Sequence, residues 1–171
     1  MALASILFYS YTKRFTRWSH LALGLGLGIA PAGGYLAVTG AWSVPWFVLP
    51  LLALAVATWV GGFDILYSLQ DIEFDRREKL HSLPAMLGEV RALGVARLFH
   101  AFSVAVLGAA GIAAGAGLYY AAGVVSVFIL LLYEHSLVRP GDYSRLDAAF
   151  FSMNGVISIV FLCFVLLERI L

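Results

Sequence analysis

The run WSHLALGLGLGIAPAGGYLAVTGAWSVPWFVLPLLALAVATWVGGF, residues 18–63, contains no lysine, arginine, aspartate or glutamate. An ordinary soluble domain carries roughly 25% charged residues, so this run cannot be a water-facing surface. It is also too long for one membrane crossing, because a hydrocarbon core of about 30 Å takes only about 20 helical residues. Two crossings fit. The break falls at Val38-Thr39-Gly40-Ala41-Trp42-Ser43-Val44-Pro45, where glycine, serine and proline interrupt helices. The pattern predicts helices over about 19–38 and 45–69.

The same pattern recurs outward from this run. Residues 98–133 and 148–167 also lack the four charged residue types. With their apolar flanks they predict helices over about 90–113, 118–137 and 148–167, the last starting near Arg145 and the middle break lying at Gly115-Ala116-Gly117. Met1 to Phe8 is apolar but covers only about 12 Å as a helix, so it reads as the tail of a span rather than a span. The fold class is therefore all-α. It is a polytopic membrane helix bundle with about five full transmembrane helices and an N-terminal helix stub, forming one membrane domain over residues 1–171.

Composition agrees. Of 171 residues, 62% are hydrophobic and 12% charged, and the mean hydropathy is +0.93. A soluble enzyme, a disordered chain and a disulfide scaffold are excluded. A net charge of +1 offers no field for nucleic acid, and the single cysteine, Cys163, sits in an apolar run as a small hydrophobe. The glycines of Gly24-Leu25-Gly26-Leu27-Gly28 lack the strand-to-helix context of a nucleotide loop and suit close helix packing instead.

Basic residues set the orientation. Lys13, Arg14, Arg17, Arg76, Arg77, Lys79, Arg91, Arg139 and Arg145 all fall in segments 10–18, 70–91 and 138–147, and the opposite turns, 39–44 and 114–117, hold none. Those three segments are expected to face the cytoplasm, with Trp18, Trp42 and Trp46 as interfacial anchors.

Candidate chemistry concentrates at the end of the second span, where Asp64, Asp71, Glu73 and Asp75 lie within twelve residues. At about 100° per residue, Asp64, Asp71 and Asp75 share one face of a continuous helix, with Tyr67 and Ser68 beside them. Carboxylates four apart repel unless a cation lies between them. Hard oxygen donors without thiolates suit Mg²⁺, which is commonly shared with substrate phosphates. The alternative is a solvated loop whose acids pair with Arg76, Arg77 and Lys79. The depth of Asp64 within the apolar span counts against it.

A second cluster, Tyr9 to Arg14, offers Tyr9 and Lys13 at a spacing of one helical turn, suited to phosphate, or basic residues that merely mark the cytoplasmic side. Arg97, Glu134, His135 and Asp147 are expected to pair with one another near helix ends, and His20, His81 and His100 are scattered without ligand spacing. A proton-relay transporter would not explain why the acids bunch at one membrane face beside basic residues.

Tyr9-Ser10-Tyr11-Thr12-Lys13-Arg14, then Asp64, then Tyr67-Ser68-Leu69-Gln70-Asp71-Ile72-Glu73-Phe74-Asp75, then Leu80-His81-Ser82-Leu83-Pro84, resembles the UbiA superfamily of intramembrane prenyltransferases. The branch it is most similar to acts on 4-hydroxybenzoate and includes relatives in menaquinone synthesis. The resemblance implies a helical bundle around a cavity in which Mg²⁺ and two Asp-rich motifs hold an isoprenyl diphosphate. By the same resemblance Asp71, Glu73 and Asp75 would be metal ligands. Tyr9, Lys13, Arg14 and Tyr67 would bind substrate, and Lys13 and Asp64 would act in catalysis.

The implied reaction joins a polyprenyl group to a small aromatic acid such as 4-hydroxybenzoate, in ubiquinone synthesis, or a dihydroxynaphthoate, in menaquinone synthesis. The expected setting is the lipid bilayer of a bacterial plasma (inner) membrane. The family's first Asp-rich motif has no counterpart here, so the resemblance covers the C-terminal part of the family. A mis-set start, a truncated gene or a second chain are the expected explanations. A non-catalytic membrane fragment is the alternative of another class.

Overall fold

The structure, a computed structural model, describes residues 11–171; the N-terminal stub and Tyr9 lie outside the described residues. The elements are α1 (Ser19–Thr39), α2 (Val48–Tyr67), a 3₁₀ turn (Ser68–Asp71), α3 (Ile72–Arg77), α4 (Leu83–Leu87), α5 (Glu89–Ala114), α6 (Leu118–Leu137), a π turn (Ala148–Ser152) and α7 (Met153–Ile170). No β-strand occurs among the described residues. Among the described residues, five helices are long and apolar enough to cross a membrane, one of them running from Val48 through the 3₁₀ turn to Arg77.

The expected breaks stand where glycine permits a left-handed backbone. α1 closes on Gly40, φ +64°, whose N–H donates to the Leu36 carbonyl at 2.9 Å. α5 closes on Gly115, φ +68°. Two boundaries depart from expectation. The second span begins at Val48 instead of residue 45, because Ser43 Oγ donates to the Pro45 carbonyl at 3.0 Å and Trp42 Nε1 to the Trp46 carbonyl at 2.7 Å, holding the segment as a turn. The last span reaches α7 through the π turn instead of entering it directly. The short helix α4 was not expected; its first turn is capped by Ser82 Oγ, which accepts from Ala85 N at 3.3 Å.

α1 packs on α2, α2 on α5, and α6 on α7. Small residues allow this. A Cβ at Gly24 or Gly28 would run into the carbonyl of Ala57 or Ala53 on α2, so the two backbones meet with nothing between them. Gly62 of α2 leaves room for the His100 ring of α5. Ile65, Leu69, Ile72, Leu83, Leu93 and Val138 form a buried core at the end that carries the basic segments. They seat the 3₁₀ turn and α3 against α4 and α5.

The far end is tied differently. Glu168, near the end of α7, accepts from the backbone amides of Gly117 (Oε1) and of Tyr120 (Oε2, 3.1 Å). It thereby satisfies donors that the first turn of α6 leaves open.

Candidate active site

Asp64 lies near the C-terminal end of α2, 9% exposed, and faces the first turn of α1. There the fully buried His20 places its Nδ1 2.7 Å from Asp64 Oδ2. The other ring nitrogen, Nε2, accepts from the backbone N–H of Leu83 at 3.4 Å. A backbone N–H can only donate, so Nε2 carries no proton. The ring proton sits on Nδ1 and is donated to Asp64. His20 shares ligand spacing with no other histidine in the sequence, yet α1 brings it onto Asp64 from 44 residues away.

After Tyr67 the helix tightens. Ser68 Oγ donates back to the Ile65 carbonyl at 3.0 Å, and the chain runs as 3₁₀ helix to Asp71 before α3 resumes. Each 3₁₀ residue turns about 20° further than an α residue, so the continuous face expected of Asp64, Asp71 and Asp75 is displaced. Asp75 ends up 1% exposed, Asp71 half-buried and Glu73 exposed. Lys13 comes from the segment before α1 and sets its Nζ 3.6 Å from Asp75 Oδ2. The charges of Lys13, Asp75 and Asp64 all reach Asp71. The structure thus gathers Lys13, Asp71 and Asp75, with Asp64 and His20 deeper along α2 and α1, and leaves Glu73 outside.

α3 ends with Lys79 in the left-handed region, φ 55°. Lys79 N–H donates to the Arg76 carbonyl at 3.3 Å and Leu80 N–H to the Asp75 carbonyl at 2.7 Å, the paired closure of a Schellman motif. His81 N–H then donates to the Lys13 carbonyl at 2.7 Å, and Leu83 N–H to His20. Residues 80–83 therefore form a strap tied to Asp75, Lys13 and His20 in turn.

Outside the strap, Lys13 and Arg14 join Phe74, Glu78, Lys79 and Leu80 around an open cleft of about 550 Å³. Arg14 is exposed, its guanidinium 5.7 Å from the centre of the Tyr11 ring. Tyr67 is half-buried and meets Phe151 edge to face, ring centres 6.3 Å apart. The solvated-loop alternative finds little support: Arg76 Nε donates to the Ala85 carbonyl at 3.0 Å, Arg77 pairs with Glu78 at 3.6 Å, and the cation beside Asp75 is Lys13.

Among the described residues no three His, Cys, Asp or Glu side chains gather to hold a metal ion. The expected set of Asp71, Glu73 and Asp75 is not assembled, because Glu73 projects from the exposed side of α3. What remains is two hard carboxylates, with Asp75 Oδ2 buried and lacking a hydrogen-bond partner among the described residues. That fits an ion such as Mg²⁺, which keeps its waters and shares phosphate oxygens, better than an ion needing an all-protein cage.

Other expected pairings are corrected. His135 Nε2 lies 3.0 Å from His100 Nδ1, and His100 Nε2 3.2 Å from the Trp59 carbonyl. Glu134 is fully buried with both carboxyl oxygens unpartnered among the described residues, and Asp147 is exposed. No ion pair joins Arg97, Glu134 and Asp147 among the described residues.

The sequence model of the UbiA prenyltransferase family matches residues 1–156. The chain belongs to the UbiA prenyltransferase family. Its relatives include the 4-hydroxybenzoate octaprenyltransferase of Aromatoleum aromaticum, 29% identical over 158 residues that make up 92% of this chain and 52% of that protein. The mitochondrial 4-hydroxybenzoate polyprenyltransferase of Schizosaccharomyces pombe is 28% identical over 148 residues, 84% of this chain and 41% of its own. This UbiA-family chain thus spans about half the length of the curated relatives it matches. Among solved structures, the apo form of a UbiA homolog from Aeropyrum pernix K1 superposes with a TM-score of 0.84 and 29% identity, covering 99% of this chain and 62% of that one. The all-helical membrane fold expected from the sequence is that of the UbiA family.

Proposed function

We propose that this UbiA-family chain takes part in transferring a polyprenyl group from an isoprenyl diphosphate to an aromatic acid such as 4-hydroxybenzoate. The observation that carries this reading is the approach of Lys13 to the buried Asp75, with Asp71 beside them, at the end of an otherwise apolar bundle. A cation and two carboxylates at one membrane face suit a ligand that is itself an anion accompanied by a metal. The names of the relatives support the substrate class.

Lys13 would hold a diphosphate oxygen, with Arg14 at the rim of the same site; Tyr9 enters this reading through the family resemblance alone. When Mg²⁺ is bound at Asp71 and Asp75, it supplies Lewis-acid neutralisation of the diphosphate charge. The allylic C–O bond breaks, its electron pair leaves with the diphosphate, and Lys13 balances the charge that develops. The acceptor ring attacks the allylic carbon to form the new C–C bond and then loses its ring proton to the released diphosphate. Asp64 would hold the acceptor or balance the allylic cation, and Tyr67, on the same stretch of chain, would form part of the substrate wall. The apolar helices take the isoprenoid tail and keep water from the cation. The distribution of basic residues supports an orientation with the motif segments facing the cytoplasm, and the bacterial relatives make the plasma membrane the proposed setting.

Membranes carrying the chain, given labelled isoprenyl diphosphate, Mg²⁺ and 4-hydroxybenzoate, should yield a prenylated acid, and chelation should stop it. Product from a dihydroxynaphthoate but not from 4-hydroxybenzoate would move the chain to menaquinone synthesis. No product from either acceptor would leave a non-catalytic membrane fragment.

A further inference from the structure

Beside the diphosphate-binding candidates lies a histidine to which neither the family resemblance nor the relatives' names give a role. We infer that His20 is the positioning residue of Asp64 in prenyl transfer; the inference rests on the function proposed above and deepens it.

Three observations carry it. His20 is fully buried, in the first turn of α1, and places Nδ1 2.7 Å from Asp64 Oδ2. Its tautomer is set by the chain itself, since Leu83 N–H occupies Nε2 and leaves the proton on Nδ1. Its backbone is held by the same packing that brings α1 against α2, where Gly24 leaves no space between the helices one turn further on. A carboxylate whose oxygen accepts a charge-assisted hydrogen bond from an immobile donor has lost its freedom to rotate. Asp64 is the acid of the site that lies furthest back along the membrane span, so its direction fixes where negative charge meets an acceptor ring or an allylic cation.

The strap gives His20 a second role. Leu80, His81 and Leu83 donate in turn to Asp75, Lys13 and His20. The diphosphate end of the site and the Asp64 end are therefore set by one short segment. His20 is the member of that series that passes the register on to a carboxylate.

The test uses membranes of the whole chain, with Mg²⁺, isoprenyl diphosphate and 4-hydroxybenzoate. His20→Leu removes the donor, and His20→Asn keeps an amide N–H where Nδ1 stood. His20→Leu should lower kcat on the order of 10–100-fold with the KM for isoprenyl diphosphate unchanged, and His20→Asn should restore most of it. In parallel, ¹⁵N-histidine NMR of the unsubstituted chain in lipid bilayers should show His20 protonated on Nδ1, with that signal displaced by Asp64→Leu. Full activity in His20→Leu, equal loss in both His20 variants, or a proton on Nε2 would overturn the inference. The NMR arm decides the matter even where His20→Leu fails to insert. Absence of transfer by the unsubstituted chain is a separate result; it would overturn the proposed function and the inference together.

Discussion

Lys13 and Asp75, 62 positions apart in the chain, stand 3.6 Å from each other at the end of the bundle, the aspartate carboxyl almost wholly enclosed and the lysine about one-fifth exposed. At that distance they attract without forming a tight hydrogen bond, so either group can turn to an incoming ligand. Asp75→Asn should abolish Mg²⁺-dependent retention of isoprenyl diphosphate while leaving membrane insertion intact. Lys13→Gln should weaken binding by about 1.5–3 kcal/mol, the worth of a hydrogen bond to a charged group. Equilibrium binding to reconstituted vesicles, with and without chelator, reads both. Retention by Asp75→Asn equal to that of the unsubstituted chain would remove Asp75 from the proposed metal ligands.

Lys79 bends the chain at φ 55°, where a side chain is costly and glycine is not. Lys79→Gly should leave stability unchanged or raise it by about 1 kcal/mol, whereas Lys79→Val should lower it, since a β-branched residue tolerates this backbone least. The comparison is made by denaturation in detergent, and a more stable valine variant would contradict the Schellman closure.

The contact between α1 and α2 should tolerate no added bulk at Gly24. Gly24→Leu should destabilise by about 1–3 kcal/mol or prevent assembly, because the Ala57 carbonyl stands where the side chain must go. Gly26→Ala, with nothing within 4 Å of the new methyl, should be neutral. Thermal melting of the two variants side by side distinguishes a packed seam from general sensitivity of the helix.

In the segment between α6 and the π turn, Asp142 accepts from the Ser144 hydroxyl at 2.7 Å and from the Ser144 amide at 3.1 Å. These bonds, the hydroxyl's first, hold its carboxyl below the ordinary value of 3.8. The stabilisation of the turn is therefore complete above 3.8 and is lost as the pH falls through the lower folded value. Hydrogen exchange at the Ser144 amide should show protection at neutral pH that disappears in strong acid. Asp142→Asn should flatten that dependence.

Glu168 should be felt at a distance. Glu168→Ala should speed hydrogen exchange at the Gly117 and Tyr120 amides while leaving the middle of α6 untouched. Unchanged exchange at those two amides would mean that they are satisfied without it.

The five spans were legible because the bilayer asks a simple question of each stretch of chain, whether it is apolar for long enough. Gly40 and Gly115 marked two ends correctly because only glycine takes a left-handed backbone without cost. Lys13, Asp71 and Asp75 stand out by residue type, and the structure brings them together. Glu73 was not distinguished from its neighbours, because its place depends on the 3₁₀ turn, and no local pattern separates Ser68–Asp71 from ordinary helix. His20 and Glu168 were passed over for a different reason. Their partners are 44 and 51 residues away or lie on other helices, and the bonds they make exist only once those helices pack. Arg97, Glu134 and Asp147 erred the other way: opposite charge suggested pairs that helix geometry does not form.

The segment Leu80-His81-Ser82-Leu83 makes the site intolerant of changes in loop length. Three of its amides are spoken for by groups on three different parts of the chain, and successive residues cannot slide to compensate. Adding or deleting a single residue between α3 and α4 would move at least one donor by about 3.5 Å, further than a hydrogen bond can stretch. A surface loop is ordinarily where a protein accepts insertions most readily. Here a tag, a protease site or a fluorescent fusion belongs instead in the turns at the opposite membrane face.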